Sequence, residues 1–368
     1  MAGRAGWSVA LAPVTRWVAV HGLASGWPAP TEPLDEGTWS AVRAECYAHG
    51  LAGLLVAVVA DDALPATAAQ RAEAAEIEVE LTRTRMQAER NVLEVAAWFA
   101  EADLEVRLLK GLALATLDYP DAQWRPTGDV DLLVHGYDLE RAVRLLTDRG
   151  GEQLEPDPVP GYGTVVGKGA PVRMPSPPTE VDLHRLLVWG PLGVRLRPDE
   201  LWRTARPVPL GGRELLTLGV EETLLHAACH LLIGGTPRAL SLRDVAQLMS
   251  RPGLDGDRAI ALAERWGIAA VLATAVTMAA TELRLDDGGP LLEWARRRPI
   301  GRRDALWLRV HPPDGALIGL EALATYLELR TPAERRMLRT ATLRPVPGTW
   351  PGPRQRVGSA VRRLTHRA

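Results

Sequence analysis

Cysteine is nearly absent from this 368-residue chain: Cys46 and Cys229 stand alone, too few for a disulfide framework or a thiolate zinc site. Long apolar runs are missing too. The longest uncharged one, Ile268 to Ala280, is about half of the roughly 20 residues that cross a bilayer, and Leu51 to Ala60 is shorter. Both read as core helices, and a membrane is not an expected partner. No charged segment followed by an apolar one marks the first residues, so a reducing cytoplasm is the expected location. Neither sign of charge dominates: 43 Lys+Arg against 45 Asp+Glu give a formal net charge of -2. No whole-molecule field therefore draws the chain to nucleic acid, which is an unlikely partner. Lysine is scarcest of the cations. Only Lys110 and Lys168 occur among the 43 basic residues, so each invites a specific reason.

What is present is a soluble globular composition, 46% hydrophobic and 24% charged, with two or three domains expected and no internal repeat. Residues 1–101 form an N-terminal helical region, with helices at 36–60 and 66–101; the second stretch has no Gly or Pro from Ala66 to Ala102. Residues 102–215 change to short apolar runs broken by Gly and Pro. Strands are expected at Val106–Leu109, Val130–Val134, Thr164–Val166 and Val181–Leu187, with helices at Leu112–Asp118 and Leu139–Arg149, the latter capped by Asp138. Residues 216–345 return to helices, at roughly 220–233, 239–250, 257–283, 289–297 and 315–340. Residues 346–368 carry five arginines and no acid, a basic flexible tail.

The chemistry concentrates in two stretches, Leu108-Leu-Lys-Gly-Leu and Arg125-Pro-Thr-Gly-Asp-Val-Asp-Leu-Leu-Val134. Asp129 and Asp131 sit two apart in a strand, so both carboxylates point one way while Val130 points into the core. Adjacent carboxylates repel unless a cation lies between them, and hard oxygen ligands suit Mg2+ or Mn2+. Asp182 and His184 repeat the spacing in Glu180-Val-Asp-Leu-His184. Three carboxylates on adjacent strands can hold two ions about 4 Å apart, the arrangement that serves in-line transfer at phosphorus. The plainer reading of Asp-x-Asp is a solvated strand edge or a turn cap. Lys110-Gly111 falls at a strand-to-helix turn, where glycine lets a ligand approach the backbone and the helix N-terminus offers N–H groups to phosphate.

Together with Tyr119-Pro, Val-Asp-Leu-His184, Leu224-Leu-His-Ala-Ala-Cys-His230 and Leu242-Arg-Asp-Val-Ala-Gln-Leu248, these motifs resemble the uncharacterised nucleotidyltransferase family of the DNA polymerase beta-type superfamily. The likeness spans the helix before Leu104 to about Met249. It implies an α+β fold, a small mixed-sheet nucleotidyltransferase core flanked by N-terminal and C-terminal helical regions. It implies metal-binding, catalytic carboxylates at Asp129, Asp131 and Asp182, with Mg2+ or Mn2+ as cofactor. It also implies transfer of a nucleoside monophosphate from an NTP to an acceptor, a small molecule or a peptide. Lys110, Gly111, Arg125 and Gly128 are the nucleotide-binding candidates, and His184 a substrate contact or a structural histidine. Asp182, directly or through its metal, helps deprotonate the acceptor. The sequence departs from the superfamily at the first turn: Leu112 follows Gly111 where a small, often hydroxyl-bearing residue touches the triphosphate. Lys110 and Arg125 are the expected replacements.

Other signals point elsewhere. His226 and His230 have the i, i+4 spacing of a zinc pair, without the Glu of His-Glu-x-x-His or a third ligand. Ser241 to Leu248 could open a helix-turn-helix in a DNA-binding regulator, or form an amphipathic bundle helix with Leu242, Val245, Leu248 and Met249 inward. Gly161-Tyr-Gly-Thr-Val-Val-Gly reads as a hairpin. Arg296–Arg298 and Arg302-Arg303 make a local positive patch. Two rival functions remain: sugar or phosphate transfer in peptide tailoring on the same fold, and a non-catalytic nucleotide- or peptide-binding protein.

Overall fold

A computed structural model describes residues 9–175, 178–196, 198–233, 238–286, 288–309 and 318–343. The N-terminal region contains α1 (Pro13–Ala19), α2 (Glu36–His49), α3 (Ala52–Ala60) and α4 (Ala68–Glu101). The helical stretch 36–60 breaks at Gly50, whose φ of 73° ends α2 in the left-handed conformation that glycine adopts without a Cβ clash. At the start of α4 the Thr67 hydroxyl accepts from the Gln70 backbone N–H, and the Gln70 side chain accepts from the Thr67 N–H. With no Gly or Pro to interrupt it, α4 then runs for 34 residues.

The middle of the chain alternates β1 (Val106–Leu108), α5 (Lys110–Leu117), β2 (Val130–Val134), α6 (Leu139–Thr147), β3 (Glu152–Gln153), α7 (Tyr162–Val165), β4 (Gly169–Pro175), β5 (Pro178–His184), α8 (Gly190–Arg195), β6 (Arg206–Leu210) and β7 (Arg213–Thr217). The strands form one seven-stranded sheet in the order β3-β4-β5-β2-β1-β7-β6. It is mixed: β2 runs parallel to β5 and antiparallel to β1, while β1 runs parallel to β7. The expected α+β class is therefore present. The helical C-terminal region comprises α9 (Val220–Ile233), α10 (Ala239–Met249), α11 (Gly256–Arg265), α12 (Ala269–Glu282), α13 (Gly289–Arg297), α14 (Arg302–Arg309), α15 (Ile318–Glu328) and α16 (Pro332–Leu343). Among the described residues no helix is long and apolar enough to cross a membrane.

Strand β2 separates two cores because its side chains alternate faces. Val130, Leu132 and Val134 join Val92, Val95 and Phe99 of α4 and Leu139 and Leu146 of α6. Leu133 joins the other core, with Leu224 and Leu225 of α9, Leu242 and Val245 of α10 and Leu272 of α12. Asp131, on the Leu133 face, is thereby carried beneath the C-terminal helices and left 3% exposed.

Several expectations are corrected. Thr164–Val166 is not a strand, and the Gly161–Gly167 segment is not a hairpin: Gly161 turns the chain at φ 78°, and its carbonyl accepts from the Thr164 hydroxyl, closing the single turn of α7. Val166 is buried instead against Leu329 and Leu338. Strand β4 escaped notice because Pro171 and Pro175 lie within it, and the edge strand β6 because Pro207 and Pro209 do, since prolines mask the strand pattern; β7 pairs with β6. Asp138 does not cap α6 with its side chain, since it already belongs to a 3-10 turn. Helix 257–283 divides at Gly267, where φ is 67°, into α11 and α12. The expected helix 315–340 is instead α15 and α16, parted before Pro332. The basic tail 346–368 lies outside the described residues.

Candidate active site

Parallel pairing of β2 with β5 sets Asp131 opposite Asp182 in register. On one face of the sheet the two carboxylates are then neighbours, and His184 lies between them. Its Nε2 is 2.9 Å from Asp131 Oδ1 and 3.0 Å from Asp182 Oδ2, and its Nδ1 is 3.3 Å from the Leu186 carbonyl. The ring is fully buried. A carbonyl only accepts, so Nδ1 carries a hydrogen, and Nε2 faces oxygens on its side as well.

The two lysines of the chain complete the cluster. Lys110 Nζ donates to Asp131 Oδ1 at 2.8 Å, and Lys168 Nζ donates to Asp182 Oδ2 at 2.6 Å. Lys110 reaches back across the β1–α5 turn because its own φ is 40° and Gly111 departs from helical geometry (φ 14°, ψ -107°). Lys168, just before β4, was missed in the sequence motif; its rarity was the available signal. Burial raises both aspartates, but Lys110 and His184 outweigh it at Asp131, and His184 and Lys168 outweigh it at Asp182, holding both well below the usual carboxylate range. Asp129 behaves oppositely. Desolvation, then the Asp131 charge, push it up against the pull of Lys110.

A cleft of about 390 Å3 opens on this cluster, lined by Lys110, Gly111, Thr127, Gly128, Asp129 and Asp131. Arg125 lines it too, but not as a free cation: its Nε and Nη2 donate to Asp244 at 2.8 and 2.9 Å, and its Nη1 to the Gly111 carbonyl at 3.3 Å. Asp244 also accepts from the Tyr119 hydroxyl at 2.7 Å. The Leu-x-Asp motif of α10 thus clamps the 125–128 loop to the helical region. Gly128 meets nothing within 4 Å of an added Cβ, so it leaves open space at the cleft. On the other side of Asp182 lies a second cleft of about 300 Å3, lined by Lys168, Asp157, Glu180, Tyr162 and Trp189.

A sequence model described as an uncharacterised nucleotidyltransferase matches residues 35–283. This chain belongs to that nucleotidyltransferase family. The match begins at the cap of α2 and runs through α12, beyond the 104–249 stretch that carries the motifs. A crystal structure of an antigenic nucleotidyltransferase-like protein from Paracoccidioides brasiliensis is similar at 14% identity, covering 54% of this chain and 92% of that one, with a TM-score of 0.33. No curated protein matches.

Family membership makes a divalent ion at the site the question to test, and the donor set fits one. One ligand atom each from Asp131, Asp182 and His184 lie within 4.8 Å of one another. The Nδ1 hydrogen is held by a carbonyl, the usual way a ligating imidazole is oriented. The structure therefore gathers Asp131, Asp182 and His184, with Asp129 on the wall of the adjoining cleft. His184 lines neither cleft.

The other sequence signals resolve structurally. His226 is buried with Nε2 unpartnered; burial, then Lys110, push both His226 and His230 down, His230 to about 4. Among the described residues neither joins a three-ligand group. Helix α10 is a bundle helix: Leu242, Val245 and Leu248 are fully buried, as is Arg243, which donates to the Ala19 and His21 carbonyls. Within the arginine patch Arg297, Arg298 and Arg303 pair with Glu293, Glu264 and Glu328.

Proposed function

We propose that the chain transfers a nucleoside monophosphate from a nucleoside triphosphate to a hydroxyl of a small molecule or peptide, with Mg2+ or Mn2+ at the acidic cluster. One observation carries the reading: Asp131 and Asp182 meet in register with His184 Nε2 between them, beside a cleft of about 390 Å3. A divalent ion held by Asp131, Asp182 and His184, with Asp129 adding a carboxylate from the cleft wall, would neutralise phosphate charge as transfer proceeds. Lys110 and Lys168 balance the aspartates when no other cation is there. In the transfer the acceptor oxygen bonds to the α-phosphorus as the α–β bridge breaks, and the bridging oxygen leaves with its electron pair as pyrophosphate. The acceptor proton passes to Asp182 Oδ1, the oxygen that neither Lys168 nor His184 engages. Because those two neighbours hold Asp182 well below the usual range, Lys168 must withdraw for this step.

Calorimetry with ATP, GTP, CTP and UTP, each with Mg2+ or Mn2+, tests the reading; binding of at least one triphosphate is expected, and binding of none would overturn it. Mass spectrometry of products formed from labelled triphosphates and a metabolite or peptide extract then identifies the acceptor. Release of a nucleoside diphosphate instead of pyrophosphate would mark sugar or phosphate transfer. A second reading, a non-catalytic nucleotide-binding protein on the same fold, is favoured by the lysines, which already balance both carboxylates. Titration with Mn2+ followed by its paramagnetic resonance separates the two: binding supports the enzyme, and its absence supports the binding protein.

A further inference from the structure

The first turn lacks a hydroxyl, since Leu112 follows Gly111 and is itself 1% exposed within the α4–sheet core. A hydroxyl-bearing side chain from another segment packs beside that turn, its methyl nearest. Thr127 lies on the 125–128 loop, and its Cγ2 and Cβ are 3.8 and 3.9 Å from where a Gly111 Cβ would stand. Thr127 is 8% exposed, lines the 390 Å3 cleft, and its buried Oγ1 has no hydrogen-bond partner among the described residues. A buried hydroxyl without a partner is unfavourable unless a ligand supplies one. The loop that holds it is fixed by the Arg125–Asp244 clamp.

The cleft also has a cation to spare. Lys110 and Arg125 are engaged by Asp131 and Asp244, and Arg85 by Glu89. Arg238, just before α10, is exposed on the same cleft and carries no ion pair among the described residues. A donor without an acceptor and a guanidinium without a counter-ion among the described residues, both lining one cavity, match an anion rich in acceptor oxygens.

We propose that Thr127 and Arg238 form the subsite for the phosphate chain, Thr127 Oγ1 donating to a phosphate oxygen in place of the hydroxyl that Leu112 removes from the first turn. The identity of the ligand as a nucleoside triphosphate rests on the function proposed above; the anion chemistry does not.

Calorimetry on the full chain with inorganic tripolyphosphate, ATP and AMP in the presence of Mg2+ tests it. Thr127→Val should weaken tripolyphosphate and ATP about tenfold or more while leaving AMP little changed, and Thr127→Ser should restore binding. Without ligand, Thr127→Val should melt no lower than wild type, because a methyl replaces an unpaired hydroxyl; the stabilisation by tripolyphosphate should shrink. Arg238→Gln should weaken tripolyphosphate more at low salt than at high salt. Wild-type affinity in Thr127→Val, or equal losses for AMP and tripolyphosphate, would overturn the subsite and leave the transferase reading standing. Tripolyphosphate bound through Thr127 with no nucleoside triphosphate bound would do the reverse. Failure of wild type to bind either overturns both.

Discussion

The same ion pair occurs twice around one histidine, in different surroundings. Lys110–Asp131 lies beneath α9 and α10, with side chains 19% and 3% exposed, and its neighbours include the buried Arg125–Asp244 pair at 8% and 9%. Lys168–Asp182 faces the cleft bounded by Trp189, with side chains 26% and 19% exposed. Water can solvate Asp182 if its partner leaves, but it has little access to Asp131. Chemically equal carboxylates therefore carry different structural weight: removing a partner is costly where the remaining charge is sealed from water and mild where it is not.

The sharpest break in that comparison comes from Asp131→Asn and Asp182→Asn. Each should lower turnover about a hundredfold or more, as loss of an electrostatic group at the reacting centre does. Both carboxylates are held low in the folded chain, so both changes should destabilise it, but Asp131→Asn by more, because the 3% exposed Asp131 serves Lys110 and His184 where water has little access. Urea denaturation of both variants decides, and equal stability losses would erase the distinction between the sides. Next in size, Asp244→Asn should cost about 3 kcal/mol by leaving the Arg125 guanidinium buried without its counter-ion. The same urea titration measures it, and Arg125→Lys should lose the fork geometry as well.

A smaller effect is expected with pH. His230 falls from 6.5 to about 4 in the folded chain through burial, then Lys110. The unfolded chain then binds the extra proton between those values, so stability is fully present above about pH 6.5 and declines as pH falls toward 4. The slope is at most about 1.4 kcal/mol per pH unit for this one group. Melting temperatures from pH 7 to 4.5 should show the decline, and His230→Asn should flatten it; an unchanged slope would remove His230 as its source. The smallest effect belongs to Lys168→Gln, within about 1 kcal/mol of wild-type stability, whereas Lys110→Gln should cost more because Asp131 is the more deeply buried carboxylate. A thermal melt of the two variants side by side ranks them.

The pairing of Asp182 with His184 was legible in the sequence because strand alternation is local and both lie in β5, whereas Asp129, expected in the strand with Asp131, precedes β2 and stands on the cleft wall instead. The long helix α4 was legible for the same kind of reason, a Gly- and Pro-free run. Strands β4 and β6 were not, since their prolines hide a pattern that pairing with neighbours sustains, and β7, without a proline, forms only as the hairpin partner of β6.

The chain's local order thus determined the helical flanks, the strands β1, β2 and β5, and which residue types could do chemistry. Tertiary structure decided the partnerships. Arg125, expected at phosphate, is bound to Asp244, 119 residues away, and Tyr119 to the same carboxylate across 125 residues. His184, 53 residues from Asp131, completes a ligand group that spacing along one strand does not contain. Lys168 meets Asp182 because β4 folds back on β5, and Thr127 meets Gly111 because the loop before β2 is clamped to α10. Periodicity fixes which way a side chain points relative to its neighbours in sequence. What stands opposite it depends on strand order and helix packing, which bring together charges that no local pattern relates.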